Sequence, residues 1–224
     1  MSNGDLHADP RAERFAYSCG RCSRCCYGKI IQLNPYEIAR LAHSRGETTS
    51  EFRSAWTDDG AGNFLRRTPD GACVFLGPKG CTVHADRPLV CRVYPLGRHV
   101  SRNGSERWSH VNPHPQTEGV YSKDGTIAEY IEAQGALPFM DAADKYADWV
   151  WRAAEALAGS TPGNTQLDGH ENEELDLVDM DSALAAHCKS RGIEEPKDVE
   201  ARMSLHLDIL NDSLDHISGE ADGK

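Results

Sequence analysis

Cys19-Gly20-Arg21-Cys22-Ser23-Arg24-Cys25-Cys26 places four thiols in eight residues. A Cys-x-x-Cys turn lets two sulfurs converge on one metal ion, because the backbone between them folds back as a tight knuckle. Here two such turns overlap and a vicinal cysteine is added, so the octet holds more thiolates than a simple tetrahedral zinc needs. The pattern implies a polynuclear site or two sites. Cys25 and Cys26 are adjacent and are expected to point in different directions, one toward the metal of the first turn and one toward a second group, Cys73, Cys81 and Cys91. The spacing of that second group is looser and would be a weak signal alone. Together the two groups put seven cysteines within 73 residues, against a single Cys188 in the rest of the chain.

Buried cysteine is also a common small hydrophobe, and Cys73 is the member of the group to which that plainer reading applies best. Cys188, beside His187, reads as a plain thiol. No run approaches the roughly 20 apolar residues of a membrane helix, and the start, MSNGDLHADPRAER, lacks the apolar stretch of a secretory signal. The expected location is the cytoplasm, where thiols stay reduced and clustered cysteines indicate metal ligation or redox chemistry more than a disulfide framework.

The formal net charge of −11 is unevenly distributed. Residues 168–224 hold 16 acidic and 5 basic side chains and so carry all of it, whereas Tyr17 to Arg107 holds 14 Lys/Arg against 8 Asp/Glu. Cations such as Arg21, Arg24, Arg87 and Arg92 would favour deprotonated thiols; the plainer reading of each is a solvated surface arginine. Nucleic acid is not the expected partner: the positive charge coincides with the cysteines, no recognised binding motif is present, and the acidic end would repel phosphate.

Residues 1–16 read as a flexible lead, and Tyr27–Leu33 as a short strand. Asn34 is an N-cap with Pro35 at the first helical position and Glu37 three residues on; Ile38, Leu41 and Ala42 form the apolar stripe and Gly46 the stop. A second short helix from Thr49 or Ser50 should bury Phe52 and Trp56. Strands are expected near Phe64–Arg67, Ala72–Leu76 and Cys81–His84, parted by turns at 69–71 and 77–80. Asn103-Gly104 signals a type I′ hairpin. Helices should follow over Thr126–Gln134 and about Asp141–Ala158. A linker at 159–174 then leads to an acidic helical segment, 175–224, with Leu175, Leu177, Val178 and Leu184, followed by Val199, Met203, Leu207, Leu210, Leu214 and Ile217 at helical spacing. The expected fold is α+β: a small cysteine-rich metal-binding domain over 17–158, with short strands and peripheral helices, plus a C-terminal helical appendage.

CGRCSRCC at 19–26, NPYEIARLAHSRG at 34–46 and DGACVFLGPKGCTVHADRPLVCRVYPLG at 70–97 together resemble the CxxCxxCC cysteine-cluster family of zinc- or iron-chelating domains, the YkgJ type. The likeness spans about residues 17–135, and its second block combines Cys81, Arg87, Pro88, Cys91, Arg92 and Pro95 in order. It implies a cysteine-rich zinc or iron site, in a family whose members are often labelled iron–sulfur oxidoreductases. A similar cluster occurs in the much longer flagellin lysine methylases. Two positions depart from the pattern. His84 stands where an aromatic residue is expected, and 116–119 stands where many members carry a further Cys-Pro-Gly, so the eighth family thiolate is missing or replaced by His110 or His114. Those histidines have a zinc-compatible spacing, although Asn112-Pro113 argues against a helix, and surface or supporting roles are the simpler readings.

The expected metal ligands are therefore Cys19, Cys22, Cys25, Cys26, Cys73, Cys81 and Cys91. An iron–sulfur cluster, 4Fe–4S by preference, with a redox or group-transfer role is the leading expectation, because soft thiolates and a surplus of them suit it. The alternatives are a zinc-stabilised module whose acidic C-terminal helices contact a partner protein, and a protein-lysine methylase-like activity implied by the resemblance alone. Gly60 and Gly62 lack the strand-before, helix-after setting of a nucleotide loop, and no catalytic triad or zinc-protease helix is apparent.

Overall fold

The computed structural model describes residues 9–58, 63–159 and 176–222. Along the chain run β1 (Arg14–Ser18), α1 (Pro35–Arg45), α2 (Thr49–Trp56), β2 (Leu76–Gly77), β3 (Gly80–Cys81), α3 (Leu89–Val93) and β4 (Leu96–Val100). β5 (Glu106–His110), β6 (Val120–Thr126), α4 (Ile127–Ala133), α5 (Leu137–Gly159), α6 (Met180–Arg191) and α7 (Val199–Asp222) complete the mixed α+β order. Two compact units result: Met1–Gln32 with Phe64–Met140, and Leu33–Asn63 with Asp141–Lys224. All seven clustered cysteines fall in the first unit and Cys188 in the second. The first carries 14 Lys/Arg against 10 Asp/Glu and the second 10 against 25, so the charge asymmetry of the sequence follows the unit boundary.

In the first unit β1 pairs antiparallel with β6, with a bulge between Arg14 and Ala16, and β4 pairs with β5. Phe15, Val93, Leu96, Trp108, Ile127, Tyr130, Ile131, Ala136 and Met140 form the core beneath these pairs. β1 begins inside the stretch whose sequence reads as a lead, because Phe15 is 4% exposed and joins this core. The expected strands at 27–33, 64–67 and 72–76 shorten to single bridges, Tyr27 with Ala72, Gln32 with Phe64 and Arg67 with Cys73, and the short β2–β3 hairpin turns at 77–80. The β4–β5 hairpin is present but is not type I′. Gly104 sits at φ +78° while Asn103 is not among the positive-φ residues, and the Gly104 amide donates to Ser101 O at 2.8 Å; a type I′ turn requires positive φ at both central residues.

In the second unit Asn34 and Glu37 form the expected capping box, with reciprocal bonds of 3.0 and 3.1 Å, and Gly46 ends α1 at φ +70°. Tyr36, Ile38, Leu41 and Phe52 are at most 1% exposed. Trp56 is only half-buried: its indole N–H donates to Glu47 at 2.9 Å, and Arg45 stacks on its ring. α6 and α7 pack on each other and on α1, burying Met180, Leu184, Met203, Leu210 and Leu214. The N-termini of α2 and α6 cap one another. Asp179 accepts from the Thr49 hydroxyl at 2.7 Å and the Ser50 hydroxyl at 3.0 Å, and Asp181 accepts from the Thr49 amide at 2.8 Å. The expected linker and Leu175 lie outside the described residues.

Candidate metal centre

β1 ends at Ser18 and hands the chain directly to Cys19. The knuckle that follows needs left-handed backbone at two residues without glycine freedom, Arg21 at φ 54° and Ser23 at φ 63°. Each costs roughly 1–2 kcal/mol, and the turn brings backbone amides onto sulfur. The Arg21 amide donates to Cys19 Sγ at 3.4 Å. One 3-10 turn, Arg24–Cys26, then sets out the vicinal pair.

The second cysteine group reaches that pair through backbone pairing. The Cys73 amide donates to Cys26 O at 2.8 Å, and the Gly28 amide to Gly71 O at 3.0 Å. The β2–β3 hairpin opposes Leu76 to Cys81 and folds Cys81 back over the same place. Cys91 stands half-buried on α3. None of the eight cysteines is in a disulfide.

The protonation of these thiols records their closeness. Cys25 is drawn down to about 6, chiefly by a hydrogen bond from Cys26, with Lys29 assisting. Cys26 is pushed up by the same bond, by burial, and by Cys25, Cys73 and Cys81. Burial, then neighbouring sulfur, raises Cys73; burial raises Cys81, against the pull of Arg87. Cys25, Cys26, Cys73 and Cys81 thus form one interacting group that resists holding several negative charges by itself. Cys22 behaves differently, lowered by the Glu118 and Arg24 amides. Arg21 and Arg24 therefore act on the thiols here through backbone N–H groups.

Tyr17 and Tyr94 stand beside Cys19 and Cys25, edge to face at 6.1 Å, and Tyr121 packs on Tyr17 at 4.8 Å. Lys29 lies 5.0 Å over the Tyr94 ring. Sequence reasoning missed Tyr17, Lys29 and Tyr94 as neighbours of the site, since the β1–β6 pairing that collects Tyr17 and Tyr121 joins segments a hundred residues apart. His84 lies in a positive corner, lowered by burial and by Arg87, Arg21 and Arg92. His110 turns to Glu13, 2.8 Å away, and His114 Nδ1 accepts from the Gln116 amide at 3.1 Å. Among the described residues, no group of three or more His, Cys, Asp or Glu side chains is placed to hold a metal ion as it stands. The seven thiols are gathered on one unit, and the soft, all-sulfur character of the interacting four fits zinc or iron.

Residues 18–113 match the CxxCxxCC family, described as "Putative zinc- or iron-chelating domain". No curated protein and no solved structure matches the chain. Among the described residues, no helix is long and apolar enough to cross a membrane.

Proposed function

Because residues 18–113 carry a CxxCxxCC domain, we propose that the protein is a cytoplasmic metal-binding protein that uses Cys19, Cys22, Cys25, Cys26, Cys73, Cys81 and Cys91 as thiolate ligands. One observation carries the reading. The Cys73 amide donates to Cys26 O at 2.8 Å and the β2–β3 hairpin folds Cys81 back beside them, so thiols from separate segments meet; burial raises Cys26, Cys73 and Cys81, neighbouring sulfur adds to it, and a bound cation would stabilise them together as thiolates. An iron–sulfur cluster, 4Fe–4S by preference, is the favoured occupant, since four thiolates suffice for a cubane and seven are supplied. When bound, such a cluster provides one-electron chemistry, which makes redox or group transfer the favoured role. The chain's own part is to collect the thiols, to place Lys29, Arg87 and backbone amides against the accumulating negative charge, and to shield one side with Tyr17 and Tyr94.

Zinc is the second reading, favoured by the fact that the vicinal pair and the second group meet across separate backbone segments that a structural ion would tie together. Anaerobic purification, followed by iron, zinc and acid-labile sulfide analysis and a visible spectrum, tests the proposal. Iron and sulfide in comparable amounts are expected. Colourless protein holding zinc alone, after anaerobic reconstitution with iron and sulfide, selects the zinc-stabilised module.

A further inference from the structure

The segment that follows the matched domain, residues 114–119, folds back onto the first cysteine turn. The Glu118 amide lies 3.5 Å from Cys22 Sγ and donates to it. The approach is close enough to specify a glycine: a Cβ on Gly20 would lie 2.5 Å from Glu118 O and 2.8 Å from Glu118 C, both backbone atoms. A Cβ on Gly119 would likewise run into the Tyr17 ring. Thr117 is bonded to the Tyr17 hydroxyl and to Cys22. Its own amide donates to His114 O at 2.8 Å, and its hydroxyl accepts from the Gly119 amide at 3.2 Å. The loop is therefore a tight internal turn clamped by Tyr17, with one amide aimed at a sulfur.

We infer that the metal site extends past the matched domain: loop 114–119 is its cap, and the Glu118 backbone amide is a positioning donor to the Cys22 ligand. The inference rests on the metal-binding reading above. Hydrogen bonds to ligand sulfur delocalise its charge and tune the bound metal, and groups that orient ligands are worth roughly 10–100-fold in metal affinity. The Glu118 carboxylate works in the opposite sense, its negative charge raising Cys22 while the amide lowers it, so the donor is the backbone and not the side chain. Gly20 is required because it alone lets the cap approach.

Co2+ added anaerobically to the full-length chain tests this, read by the sulfur-to-cobalt charge-transfer band and by the rate of metal loss to a chelator. Gly20→Ala, which forces the cap away, should move the band to lower energy and speed loss about tenfold or more. Thr117→Val should move both readouts in the same direction by less, and decides the matter if Gly20→Ala does not fold. Glu118→Gln keeps the amide and removes only a charge that opposes the Cys22 thiolate, so it should hold metal at least as well as the wild type. Wild-type behaviour in both Gly20→Ala and Thr117→Val overturns the cap while leaving the metal site standing. A loss in Glu118→Gln equal to that of Gly20→Ala also overturns it, by making the carboxylate the acting group. A wild-type chain that takes up no Co2+ overturns both this inference and the reading it rests on.

Discussion

The Tyr146 hydroxyl donates to His206 Nδ1 at 2.8 Å, and His206, fully buried on α7, donates its Nε2–H to Leu177 O at 2.7 Å. Both ring nitrogens are thus committed with the imidazole neutral. Burial holds its pKa below the ordinary value, although Asp179, Asp176 and Asp181 pull upward. A histidine lowered in the folded state contributes stability that is complete above its unfolded value of about 6.5 and is lost as pH falls through the folded one. Wild-type protein should therefore lose denaturation stability between pH 7.5 and 5 more steeply than His206→Gln. Parallel pH profiles for the two chains would remove the role assigned to this histidine.

Asp179 is 3% exposed and holds the junction of α2 and α6. Burial alone would raise its pKa, but Thr49, the Ser182 amide, Ser50 and Arg53 outweigh it and hold the carboxyl below the usual range. The sign is the same as that of His206 but the window is more acidic: this stability is present above the ordinary carboxylate value and disappears as pH falls below it. Asp179→Ala leaves Arg53 with Asp176 and Asn63 but removes the acceptor of the Thr49 and Ser50 hydroxyls, and should cost about 1–3 kcal/mol in urea denaturation. A cost below 1 kcal/mol would mean that the two helix starts are held by apolar packing alone.

Removing one member of the interacting thiol group should remove metal. Cys25→Ser or Cys26→Ser is expected to lower metal per chain by at least half, measured on anaerobically purified protein, because the remaining sulfurs come from backbone segments that the pair brings together. Cys188→Ala should leave metal content unchanged, since Cys188 is 2% exposed within the other unit. Equal losses in both would show that the site's boundary is drawn wrongly.

Leu210 is 1% exposed and packs in the second unit. Leu210→Ala should cost about 2–5 kcal/mol through the cavity it leaves while metal per folded chain stays constant, because every proposed ligand belongs to the first unit. Denaturant unfolding and metal analysis on the same sample check both halves of the expectation. Metal loss in step with stability would make the two units one cooperative structure.

Where signals are local, the sequence reads well. The Asn34–Glu37 box, the stop at Gly46 and the Gly77–Gly80 turn all lie within a few residues of what they control. α5 begins at Leu137, four residues before the expected Asp141, and Pro138 in its first turn was the available signal. Long-range pairing is what the pattern hides. β1 resembles a lead because only Phe15 of its five residues is buried, and its partner β6 lies beyond residue 119. The cysteines show the same division: spacing nominates seven candidate ligands, of which the fold sets Cys25, Cys26, Cys73 and Cys81 against one another, whereas Lys29, Tyr94 and the Glu118 amide become neighbours only once the chain has folded.

Leu33–Asn63 interrupts the cysteine-bearing unit, yet that unit scarcely registers the interruption. Gln32 is bridged to Phe64, and the Leu65 amide donates to Ile31 O at 2.8 Å, so the chain leaves and returns at the same point. Loop closure depends only weakly on length once the ends are fixed. The detour therefore adds little entropy cost to bringing Cys25 and Cys26 to Cys73 and Cys81. It also makes the position between Gln32 and Phe64 a natural port, where evolution or design could exchange one inserted module for another, or for a short turn, without redrawing the thiol constellation.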